Sequence, residues 1–201
     1  MRIGMLGRGI VGSGLAAKLT ELGHDVKVGS RDPSLSFADA AAHGEIVFNA
    51  TAGTASLDAL RMAGAENLAG KPLVDVANPL DMSKGFPPTL SVCNDDSLAE
   101  QIQREFPAAR VVKTLNTMNA DVMINPGLVP GDHNVFLAGD DDSAKREVAA
   151  LLETFGWPAE RIVDLGGIDA ARGMEMYLPL WLRLFRAAGT GHINIAVLRE
   201  G

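Results

Sequence analysis

The chain has 201 residues, enough to bury a substantial core, and its 47% apolar and 21% charged residues are ordinary for a globular protein. A formal net charge of -7 and only 5% aromatic residues exclude phosphate-backbone binding, a base-stacking platform and attraction to an anionic membrane. The single cysteine, Cys93, cannot close an internal disulfide, and no apolar run approaches membrane-spanning length, so the expected setting is the cytoplasm with no membrane or nucleic-acid partner.

An apolar strand over Arg2–Leu6 runs into Gly7-Arg8-Gly9-Ile10-Val11-Gly12 and a helix over Ile10–Leu22. This is the dinucleotide fingerprint in its proper strand–turn–helix setting. Gly7 allows the tight turn, Gly9 lets backbone approach a pyrophosphate, and Gly12 lets the helix pack on the strand. A second strand over Asp25–Val28 leads into Gly29, Ser30 and Arg31. NAD-binding chains usually place a carboxylate there for the ribose hydroxyls. A hydroxyl and a guanidinium suit a 2′-phosphate instead, so the expected cofactor is NADP(H). Counting from the glycines alone would give the acidic role to Asp32 and predict NAD. Aligned on the strand, Asp32 falls beyond it, before Pro33, where it starts a turn or caps a helix.

Further strands are expected near Ile46–Asn49, Leu73–Val76, Val111–Leu115, Val135–Leu137 and Ile162–Leu165. Helices are expected over Phe37–Ala42, Thr54–Met62, Ser97–Glu105, Asn119–Ile124 and Ser143–Phe155. Ser97 and Glu100 form a capping box, and Ser143 reads as an N-cap behind Asp140, Asp141 and Asp142. The stretch Asn78–Asp95 reads as a loop. Ala170–Arg186 is apolar enough to need cover on more than one face and contains Pro179. The fold class is therefore α/β: a Rossmann-type, doubly wound, mostly parallel sheet with helices on both faces and a small C-terminal helical segment. Residues 1–165 read as the NADP(H)-binding domain. Residues 166–201 read as a helical extension packing on the sheet, on a pocket or on a dimer partner.

In such a sheet the active crevice lies at the C-terminal strand ends. Those ends offer Ala50-Thr51-Ala52-Gly53, Ala77-Asn78-Pro79-Leu80 and Leu115-Asn116-Thr117-Met118, all small, hydroxyl, amide or apolar groups. There is no Ser-His-Asp set, no Lys-Tyr pair at dehydrogenase spacing and no metal-ligand spacing. His24, His43, His133 and His192 each read as structural or solvated, Cys93 as packing, and Asp75 as a capping or hydrogen-bonding group. No catalytic and no metal residue is assigned. A carbonyl reductase normally positions a general acid, whereas hydride transfer between two conjugated rings mainly requires that they be held face to face and dry.

The opening GRGIVGSGLAAKLTELGHDVKVGSRDP closely resembles the amino-terminal signature of the NADPH:coenzyme F420 oxidoreductases, whose second cofactor is a deazaflavin. VVKTLNTMNADVM, FLAGDDDSAKREVAALLETFGW and LPLWLRLFRAAGTGHINIAVL are also similar to that family. The cytosolic reductase domain of the six-transmembrane metalloreductases looks alike. The resemblance implies that Gly7, Arg8, Gly9, Ile10 and Val11 contact the pyrophosphate and ribose, and that Ser30 and Arg31 hold the 2′-phosphate. Thr51, Ala52 and Gly53 would run along the nicotinamide ribose. Asn116 and Met118, with the segment near Ala188–Gly191, would border the second ring system. Archaeal deazaflavin enzymes tend to carry His where this chain has Asn116, which leaves the acceptor open between coenzyme F420, a flavin and another electron acceptor. A reductase of small carbonyls or imines, and a non-catalytic NADPH-binding sensor, are the competing readings. A homodimer is the expected assembly.

Overall fold

Strands and helices alternate, as the apolar periodicity demands. In a computed structural model describing residues 1–198 and 200, β1 (Arg2–Leu6), α1 (Ile10–Glu21), β2 (Asp25–Gly29), α2 (Phe37–His43) and β3 (Ile46–Asn49) come first. Next are α3 (Ser56–Ala63), α4 (Ala65–Leu68), β4 (Pro72–Asp75), the short hairpin β5 (Leu80–Asp81) and β6 (Thr89–Leu90), and α5 (Leu98–Glu105). The rest is β7 (Arg110–Thr114), α6 (Ala120–Ile124), β8 (Val135–Ala138), α7 (Asp142–Thr154), β9 (Ile162–Asp164), α8 (Ala171–Met176) and α9 (Leu178–Ala188).

The main sheet has seven strands in the order β2-β1-β3-β4-β7-β8-β9. The first five are mutually parallel, β8 runs antiparallel to β7, and β9 is parallel to β8. The chain winds outward from β1 in both directions, so the topological switch lies where β1 meets β3. Alternate strand residues feed two cores. Ile3, Met5, Phe48, Val74 and Val112 face α1, α6 and α7 in one cluster. Leu6, Val47, Leu73 and Val111 face α2, α3, α5 and α8 in the other. Apolar residues on both faces are what a sheet covered on both sides requires.

Several boundaries differ from the sequence-based expectation for identifiable reasons. Leu115 leaves β7 because its backbone turns left-handed, with φ 62°. The N-cap of α7 is Asp141, whose carboxylate accepts from the Ala144 N–H at 2.7 Å, so Ser143 lies inside the helix. The expected loop Asn78–Asp95 contains the β5–β6 hairpin. The apolar stretch Ala170–Arg186 breaks at Tyr177, and Pro179 falls in the first turn of α9, where its missing N–H costs nothing.

Beyond β9, α8 packs on α5, while α9 buries only Leu178. The tail returns beside β8, where Asn134 N–H donates to the Ile195 carbonyl at 2.8 Å. Arg199 and Gly201, at the end of the expected 166–201 extension, lie outside the described residues.

Candidate active site

The glycine turn sits at the switch point. Gly7 has φ +113°, its N–H donates to the Gly29 carbonyl at 2.9 Å, and an added Cβ would lie 2.5 Å from the Ala50 carbonyl. A Cβ on Gly12 would run into the Gly7 carbonyl, so α1 can start this close to β1 only with glycine there. Gly9 is different: nothing lies within 4 Å of where its Cβ would be. No side chain caps α1, so its first N–H groups and positive dipole end are left to an outside anion. Ile10, 85% exposed, starts that helix, and Val11 lines the next cleft.

A cleft of about 280 Å³ brings together Gly7, Arg8, Gly9, Ser30, Arg31, Thr51 and Ala52. Arg31 is exposed at its mouth. Ser30 is buried, and its Oγ accepts from the Asp32 N–H at 3.1 Å, which leaves the hydroxyl proton to donate. The Asp32 carboxylate turns the other way. It accepts from Ser34 N–H at 3.0 Å and Ser34 Oγ at 2.8 Å and caps the 3-10 turn Pro33–Leu35. Those Ser34 hydrogen bonds hold its pKa below the usual carboxylate value. The end of β2 therefore offers a guanidinium and a hydroxyl donor, with its nearest acid engaged elsewhere.

Thr51 and Ala52 also border a second cleft, of about 370 Å³, with Val11, Gly53, Asn78, Met82 and Met118. Among the described residues no ionisable side chain lines it. Gly53 is required because a Cβ would strike the Asn78 carbonyl. Asn78 Nδ2 donates to the Asn116 carbonyl at 2.8 Å, and Asn116 Nδ2 donates to Asn78 Oδ1 at 2.9 Å and to the Met174 carbonyl at 3.2 Å. Asn116 is 1% exposed, so it stands behind Asn78 and braces it, with its own Oδ1 unpartnered. Left-handed, fully buried Leu115 makes the bend that brings Asn116 there, a conformation costing of order 1–3 kcal/mol.

Under this cleft lies a polar layer of which the sequence yielded only Asp75, read as a capping or hydrogen-bonding group, and not its partners. Asn49, Asp75 and Lys113 occupy one row across β3, β4 and β7, in register at Asn49–Asp75 and Asp75–Lys113. Thr51 Oγ1 donates to Asn49 Oδ1 at 2.6 Å, and Asn49 Nδ2 donates to Asp75 Oδ1 at 2.8 Å. Lys113 Nζ reaches Asp75 Oδ2 at 2.7 Å, the Ala77 carbonyl at 2.5 Å and Glu175 Oε1 at 2.8 Å. Glu175, on α8, also accepts from the Leu98 and Ala99 N–H groups that open α5. Burial lowers the Lys113 pKa, but Asp75 and Glu175 raise it by more, leaving it above the ordinary lysine value. Burial pushes the Glu175 carboxyl up against the opposing pull of Lys113. A signal was available: Val47-Phe48-Asn49, Leu73-Val74-Asp75 and Val111-Val112-Lys113 each turn polar at the same core-facing position.

The histidines serve the scaffold or its surface. His133 Nε2 lies 3.1 Å from the Pro126 and Val129 carbonyls, and His192 lies 3.3 Å from Asp121. A hollow of about 420 Å³ beside α7 and β9 is lined by Arg146 and by Lys145, the latter already paired with Asp142 and Asp164. Among the described residues no helix is long and apolar enough to cross a membrane.

Residues 2–79 match the profile of a family described as NADP oxidoreductase, coenzyme F420-dependent. A crystal structure from Arthrobacter sp. FB24, provisionally described as an F420-dependent NADP-reductase, is 50% identical, with a TM-score of 0.94 over 98% of each chain. The F420-dependent NADP reductase of Methanothermobacter marburgensis is 27% identical over 92% of each chain. The rat metalloreductase STEAP3 is 30% identical over 90% of this chain, which spans only 38% of that protein's length.

Proposed function

The chain belongs to the coenzyme F420-dependent NADP oxidoreductases, and from that premise we propose that it passes hydride between NADP(H) and a deazaflavin, coenzyme F420, or a flavin. It is an NADP-dependent oxidoreductase; the acceptor and the residue roles are our reading. NADPH, when bound, supplies a hydride from C4 of its neutral dihydronicotinamide ring, and the two electrons that leave with it make that ring a cation.

The observation that carries the reading is the pair of joined clefts. One has phosphate-binding chemistry at Arg31, Ser30 and the open Gly9 turn. The other is mostly apolar and, among the described residues, free of ionisable side chains. In this reading Ser30 and Arg31 grip the 2′-phosphate, while Gly7, Arg8, Gly9, Ile10 and Val11 follow the pyrophosphate. Gly12 sets the helix distance. Thr51, with its proton given to Asn49, offers an acceptor to the nicotinamide ribose beside Ala52 and Gly53. Asn78, braced by Asn116, and Met118 then form the wall against which the two rings stack. The protein's part is orientation and exclusion of water. A carbonyl substrate would need a proton donor that this cleft does not line up.

We also assign residues 1–165 to the cofactor-binding unit and residues 166–201 to a helical extension that packs on α5 and carries a homodimer contact. The proposed setting is the cytoplasm. The deciding experiment follows nicotinamide absorbance while NADPH is offered coenzyme F420, free flavins or a panel of carbonyl compounds. NADPH consumption with F420 or flavin alone is expected. Turnover confined to the carbonyls would overturn the reading.

A further inference from the structure

A buried ion cluster is a costly way to fill a core. Well-packed apolar residues of like volume are often as stable or more so, and stability alone gives little reason to keep one. Lys113, Asp75 and Glu175 are essentially inaccessible, at 0%, 0% and 1% exposure. Among the described residues the hydrogen-bond partners of both acidic side chains are donors. Asp75 receives Asn49 Nδ2, the Ala77 N–H and Lys113 Nζ. Glu175 receives Lys113 Nζ and the Leu98 and Ala99 N–H groups. Among the described residues neither is hydrogen-bonded to an acceptor, and the two acidic groups share the single ammonium of Lys113, so the cluster carries an excess of negative charge. The start of α5 offsets part of that excess beside Glu175. The neighbouring Glu100 is matched by Arg172 through two hydrogen bonds and adds nothing to it.

This charge lies one residue behind the cleft wall. Ala77 gives its N–H to Asp75 at 3.2 Å and its carbonyl to Lys113, and it lines the same cleft as Thr51, Asn78 and Met118. Ala77 and Asn49, which lie between, are buried, so the field is weakly screened. We infer that Asp75 and Glu175, sharing the single ammonium of Lys113 behind Ala77, make this cleft prefer the oxidised, cationic nicotinamide ring to its neutral reduced form. This rests on the reading that the ring occupies the Thr51–Asn78 cleft. The carboxylates touch no ligand; they bias the site toward giving hydride away from NADPH.

The test compares the binding of NADP+, NADPH and 2′-phospho-ADP-ribose, which lacks the nicotinamide, to the full chain and to Asp75→Asn and Glu175→Gln. Each variant removes one negative charge with little change in shape, and either suffices if the other does not fold. The affinity ratio of NADP+ to NADPH should fall about tenfold, with binding of the ring-less fragment unchanged. An unchanged ratio in a variant that binds all three ligands would overturn the inference while leaving the cofactor reading intact. Parallel loss of all three would also overturn it, giving the carboxylates a purely architectural role. Failure of the unmodified chain to bind any of the three would overturn both readings together.

Discussion

Gly9 and Gly12 stand three residues apart and answer to different constraints. A Cβ at Gly9 has nothing within 4 Å, so Gly9→Val should fold, with a loss of about 1 kcal/mol from a poorer N-cap. Its branched side chain would fill the space over the α1 amides, and NADPH binding should vanish in a fluorescence titration. Gly12→Ala drives its methyl into the Gly7 carbonyl and should show first as a lowered melting temperature. Arg31→Ala should weaken NADPH binding by about 1.5–3 kcal/mol and leave NADH almost unaffected, because only the former carries the phosphate that the guanidinium meets. Equal effects on the two coenzymes would remove Arg31 from the site.

Among the elements, α5 and α8 are tied at one end by charge. Asp96 accepts from Arg104 at 2.9 and 2.8 Å, which with its other hydrogen bonds holds its pKa at about 2 against an ordinary 3.8. Arg172 lowers the pKa of Glu100 in the same way. A depressed carboxylate pKa adds stability at pH above the unfolded value, and that stability disappears as pH falls through the folded one. Acid melting should therefore steepen between about pH 4 and pH 2, and Asp96→Asn should flatten that limb. This tie was half legible beforehand. The Ser97–Glu100 capping box was readable because both partners lie within one helical turn, and Ser97 Oγ does accept from the Glu100 N–H at 3.1 Å. The Glu175 contact with Leu98 joins residues 77 positions apart, which no local pattern encodes. The strands and the glycine turn were legible through periodicity and backbone need. The break at Tyr177 and the bend at Leu115 depend on packing between distant segments.

At the scale of the whole molecule, α9 presents Leu180, Leu184 and Phe185 to solvent at 56%, 43% and 39% exposure, with Trp181 stacked on Phe185. An apolar face of this size suits a second copy of the chain. Leu184→Lys should convert the proposed dimer to monomer in light scattering and leave the fold intact by circular dichroism. A monomeric parent protein would refute the assembly. Glu175 has a wider consequence. It satisfies two amides at the head of α5 and half of the Lys113 ion pairing. A chain cut after β9 would strand those groups in a dry interior. The nucleotide-gripping portion is thus no excisable module: calorimetry should record one melting transition for the entire polypeptide, and the truncated fragment should not fold by itself.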